Sequence, residues 1–216
     1  MSRKLPRSAL LGLAALVLAS LAYSLCPRTA HLRAFSPQAM GRLETAMWRD
    51  YYEHRYAALF AALYRMNRGQ YGFSPWDSLR VAYLAAKAAK VFQPSQSREQ
   101  AETALPWLGR YFEVIQTRSH EPFDVHKAAA TELDWWQLRR EHATPEQYGT
   151  IVARVAEEVY GCHDPRLLQS AQLRAAMMDY RDRRSDGRMR EQDWQAIQDN
   201  LVQSYALLRH AIERNP

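Results

Sequence analysis

The stretch "SPWDSLRVAYLAAKAAKVF", residues 74–92, decides the fold class. Serine precedes proline, and aspartate follows three residues after the serine. A serine side chain at this place accepts a free backbone N–H of a helix's first turn. Proline at the first helical position has no N–H to leave unsatisfied. Ser74 and Asp77 thus resemble a capping box. Ala82, Ala85, Ala86, Ala88 and Ala89 follow and let a neighbouring helix approach closely.

The same punctuation recurs. "SPQ" at 36, "TPEQ" at 144 and "DPR" at 164 each place a capping side chain before a proline, and "SREQ" at 97 does so without one. Helices are expected over 37–67, 75–92, 98–117, 124–142, 145–160, 165–183 and 190–213. Pro106 should kink or restart the third. In the last, Trp194, Ile197, Leu201, Tyr205, Leu208 and Ile212 form one apolar stripe. No alternation long enough for a strand is present. The fold class is therefore all-α, a compact multi-helix bundle over 36–216 with about seven helices. "AETALPWLGRYFEVI" (101–115) faintly resembles a tetratricopeptide helix, but no 34-residue period follows it.

Composition agrees. The chain has 216 residues, 47% of them hydrophobic, and only eight glycines, too few for a turn-rich β fold. The net charge is +6, and Arg3, Lys4 and Arg7 ahead of the first apolar run supply half of it. Acids are interleaved with the remaining arginines, so no basic stripe exists for nucleic acid. "DYRDRRSDGRMRE" (179–191) reads as a solvated helix end and loop.

"ALLGLAALVLASLAYSLC", residues 9–26, carries no charge. A spanning helix needs about 20 apolar residues and a secretory-signal core about 7–15, so the run lies between the two. The first expectation is an uncleaved single-pass anchor, with the domain on the extracytoplasmic (periplasmic) side because basic residues precede the run. The alternative is a signal removed after Ala22 or Ser24, releasing the domain to the periplasm. Residues 27–35 read as a linker. Cys26 and Cys162 read as two unrelated thiols, with no zinc or CxxC spacing.

No phosphate loop, dinucleotide fingerprint, nucleophile elbow or zincin motif occurs. None of the seven histidines has a glutamate three residues before it, as ferritin-like di-iron bundles require. "GCHD" (161–164) pairs a thiol with an imidazole, a weak metal signal. No cofactor or metal is expected.

The charges that face inward carry the functional reading. On a helical wheel of 124–142, Glu132 and Arg139 fall among Val125, Ala128, Ala129, Trp135 and Trp136, about 20° from each other. In 44–66, Glu44 and Arg55 fall likewise among Trp48, Tyr51, Tyr52, Leu59 and Leu63. Within one helix each pair is roughly 10–16 Å apart along the axis, so pairing must cross between helices. Buried charges need partners. As first and fourth helices of an up-down bundle the two run antiparallel, giving Glu44–Arg139 and Arg55–Glu132 bridges walled by Trp48, Tyr51, Tyr52, Trp135 and Trp136. Parallel helices would instead bring Glu44 to Glu132 as a carboxylate pair, able to share a proton or hold a metal.

"MWRDYYEHR" (47–55) with "ELDWWQLRR" (132–140) resembles uncharacterised bacterial helical proteins carrying an N-terminal membrane segment. That resemblance implies fold kinship and no catalytic residue. Three functions are expected in order: a membrane-tethered interaction or scaffold module with a protein partner; a helical enzyme or ligand-binding protein using the Glu/Arg/Trp pocket; and a tetratricopeptide-like adaptor for peptides.

Overall fold

A computed structural model describes residues 7–184 and 189–213. The central part of the basic run 179–191 and the first basic residues, Arg3 and Lys4, lie outside the described residues. Among the described residues the chain is helical with no strand.

The helices are α1 (Arg7–Leu25), α2 (Pro37–Tyr52), α3 (Tyr56–Gln70), α4 (Pro75–Phe92), the short α5 (Arg98–Ala101), α6 (Leu105–Ser119), α7 (Val125–Arg140), α8 (Pro145–Tyr160), α9 (Pro165–Asp182) and α10 (Glu191–Glu213). The expected caps are formed. Ser36, Ser74, Ser97 and Asp164 accept backbone N–H groups of the first turns, and Thr144 with Gln147 completes a capping box. The third expected helix restarts through a 3-10 turn at Glu102–Ala104, with Pro106 in the first turn of α6.

The expected helix 37–67 is two helices. The chain breaks at 53–55, where His54 is left-handed at φ 56° and Arg55 turns back onto the buried Asp50 at 2.7 Å. Ser36 N donates to Gln70 Oε1 at 3.0 Å, so α2 and α3 form an antiparallel hairpin.

That added turn changes the architecture. α2, α3, α4, α6, α7, α8, α9 and α10 each pack on their neighbours in this order, and α10 closes on α2. The eight make a ring of antiparallel helices around a lumen. An even number lets the last helix meet the first in the same antiparallel sense. Gly41 of α2 lies against Val202 of α10 at this closing seam, while Arg49 near the other end of α2 reaches Glu191 at 2.9 Å.

Residues 27–35 are part of this domain, not a linker. Ala30, Leu32 and Phe35 are buried, and the Arg33 guanidinium binds Glu121 at 2.9 Å and the carbonyls of Tyr160 and Ile212 at 2.7 and 3.0 Å. Apolar side chains with a tethered arginine fasten the segment across the ring's mouth. Cys26 is exposed and Cys162 buried, both as free thiols.

Helix α1 stands apart and packs on α4. Leu11, Leu16 and Leu18 are each at least 66% exposed. No helix among the described residues is long and apolar enough to cross a membrane. The expectation of a transmembrane anchor at 9–26 is therefore not supported.

Candidate functional site

The lumen holds a cavity of about 330 Å³ to which every ring helix contributes a side chain. It is apolar in the main, walled by residues such as Leu63, Val155 and Leu208, with a polar group set into it.

Glu44 of α2 anchors that group and is 2% exposed. Its Oε1 accepts from Arg174 Nε of α9 at 2.6 Å, and its Oε2 accepts from the Tyr205 hydroxyl of α10 at 2.7 Å. Burial works against the Arg174 charge, but Glu44 outweighs it and holds the guanidinium pKa above its ordinary value. Charge-assisted bonds of this length are the strong ones, and they fix Arg174 in place.

Glu132 of α7 lies deep beside the same cavity. Its Oε1 accepts from the Trp136 indole N–H at 2.9 Å. No described residue forms an ion pair with it. Burial raises its pKa above the ordinary carboxylate value, while the Trp135 and Trp136 indoles and the Arg174 charge hold it back. Tyr71, Tyr111, Tyr160 and Tyr205 also line the cavity. Burial pushes all four phenols well above their ordinary pKa, so they stay neutral.

The four charges expected to belong together are divided. Glu44 and Glu132 share the cavity. Arg139 instead binds Asp182 at 2.6 Å and the Tyr52 hydroxyl at 3.0 Å, near the C-terminal ends of α2, α7 and α9. The Arg181 guanidinium lies 3.0 Å above the Tyr52 ring there. Arg55 is half-exposed at the α2–α3 break, paired with Asp50 and Glu53. Neither the Glu44–Arg139 nor the Arg55–Glu132 bridge forms. The extra turn is the reason. It makes α7 the fifth ring helix instead of the fourth, so α7 runs parallel to α2 and faces it across the lumen.

Of the expected wall, Trp136 lines the cavity. Trp135 is buried in the α7–α8–α9 seam beside Tyr148 and Met178, and Trp48 packs against that cluster. Tyr51 is exposed, its hydroxyl accepting from Gln93 at 2.7 Å. Arg174 and the lumen tyrosines were not among the expected site residues. Arg174 carried the same signal, since it falls on the Leu167, Ala171, Ala175, Met178 stripe of α9. Among the described residues, no three His, Cys, Asp or Glu side chains gather closely enough to hold a metal. No protein-family model, curated protein or solved structure matches the chain at a significant level.

Proposed function

We propose that the protein binds a small molecule inside its helical ring. One observation carries this reading. The lumen keeps a cavity of about 330 Å³ and sets two carboxylates, a guanidinium and four phenols into its otherwise apolar wall. Ligand sites are of this kind: concave, mostly apolar, about 300–1,000 Å³, with a few placed polar groups. A group that served only to pin the helices would be close-packed, because interiors leave few voids larger than a water molecule. The pin is elsewhere, in the Arg139–Asp182–Tyr52 cluster. A tetratricopeptide-like groove fits the ring less well, since α10 closes the space that an open solenoid leaves for a peptide. The interaction-module reading needs an outer face, and the polar residues of the lumen do not reach one.

The test is a fragment screen on methyl-labelled full-length protein followed by NMR. Binding fragments should move the Leu63, Val155 and Leu208 methyl signals together. If every hit moves only surface methyls, the lumen reading fails.

The exposed apolar surface of α1 supports a second element. A helix with several half- to three-quarters-exposed leucines is unfavourable in water, and the ring closes without it. We propose that α1 is a secretory leader removed after Ala22 or Ser24, which places the ring on the extracytoplasmic side. N-terminal sequencing of the mature protein should begin at Tyr23 or Leu25. A mature chain that retains residues 1–22 and sediments with membranes favours the attached form instead.

A further inference from the structure

We infer that the lumen's ligand is a small amine, a protonated nitrogen carried on an apolar or aromatic body. This inference rests on the ligand-binding reading above and adds the chemical class.

The charges of the lumen lead to it. Arg174 is the cation among the described lining residues, and two of its guanidinium nitrogens already serve Glu44. That pair is neutral as a unit. The phenols of Tyr71 from the α3–α4 turn, Tyr111 of α6, Tyr160 of α8 and Tyr205 of α10 are neutral too. Glu132 remains, a carboxyl group with indole N–H groups against it and no ion-pair partner among the described residues. A buried carboxylate without a cation is costly, and the cost disappears when a cation arrives.

The opposite class is disfavoured by the same geometry. An anionic ligand would have to take Arg174 from Glu44 and then lie in a chamber holding two carboxylates. A neutral ligand would leave Glu132 without an ion-pair partner. An ammonium gives its N–H to the Glu132 carboxylate, and Trp136 and Tyr111 line the same cavity. Aromatic faces attract cations, more strongly where water is excluded. Glu132 and Tyr111 lie near enough that the carboxylate helps to raise the phenol's pKa. The apolar wall then takes the ligand's body.

The sign of the pH dependence follows. The ammonium binds the ionised carboxylate, so affinity falls as acidification protonates Glu132. Arg174 and the four phenols keep their charge states through that range.

Calorimetry on the full chain tests this with three probes of one shape: 2-phenylethylamine, 2-phenylethanol and 3-phenylpropanoate. The amine should bind at least about tenfold tighter than either. Glu132→Gln should remove the preference, bringing the amine's affinity down to about that of the alcohol. If the alcohol or the acid binds as tightly as the amine, the amine class is overturned and the chamber reading survives. If none of the three binds, both readings fall. The wild-type comparison stands alone should the variant fold poorly.

Discussion

Glu44 and Glu132 are the same residue type on opposite walls of one lumen, and they make opposite demands on stability. Glu44 is answered by Arg174 and Tyr205; Glu132 has indole N–H groups against it and no ion-pair partner among the described residues. Folding raises the Glu132 pKa by burial. The folded state therefore holds this proton more tightly than the unfolded chain, and stability falls as pH rises from the ordinary carboxylate value through the raised one. Glu132→Gln keeps an acceptor for Trp136 and removes the charge. It should raise the melting temperature at pH 7–8, and its advantage should vanish below about pH 4, where the unfolded carboxylate is also protonated. Melts across pH check this, and a lowered melting temperature at pH 7 would mark Glu132 as a structural pin. Stability gained by deleting a residue that a ligand needs is the expected trade at a binding site. Both glutamates were legible in the sequence, because a carboxylate on an apolar helical face stands out whatever surrounds it. Their partners were not. A wheel reports which way a side chain points, not which helix stands opposite.

At the scale of single helices, what was legible is what is local. A serine, threonine or aspartate before proline binds N–H groups two or three residues away, so the starts of α2, α4, α8 and α9 could be read directly. The α2–α3 break could not. "DYYEHRY" (50–56) has no proline or glycine, and its turn is held by Arg55 folding back onto Asp50, a contact that exists only once Asp50 is buried. The residue that makes the turn is a histidine in the left-handed region, which is only a few-fold enriched there and gives little signal. His120 and His142 do the same after α6 and α7, at φ 60° and 61°. Three of the seven histidines thus have a backbone role at helix ends, one that a search for metal or catalytic spacing passes over.

For the whole molecule, one missed turn reversed a conclusion, because direction around a ring is a matter of parity. With seven helices α7 is antiparallel to α2 and salt bridges follow; with the α2–α3 turn it is parallel, and the carboxylates share a cavity. The lumen exists only if the ring closes, so the closing seam deserves the sharpest test. Gly41 lies in the buried face of α2. A Cβ there would stand 2.5 Å from Val202 Cγ2, 2.7 Å from its backbone N and 2.9 Å from its Cα. A rotamer change relieves the first contact but not the other two, which are backbone. Gly41→Ala must therefore push α10 away from α2. Overpacking of this kind costs about 1–3 kcal/mol, or roughly 3–10 °C of melting temperature for a domain of this size. Glu44 lies one turn along the same helix and Tyr205 on the displaced one, so the shift also loosens their 2.7 Å bond and with it Arg174. Amine affinity should fall along with stability. Gly109→Ala is the control: a Cβ at Gly109 of α6 meets nothing within 4 Å, and alanine should gain up to about 1 kcal/mol by its helix propensity. Thermal melts and calorimetry on the two variants separate the effects. If Gly41→Ala melts and binds as the unaltered chain does, α2 and α10 do not form the seam that makes the lumen.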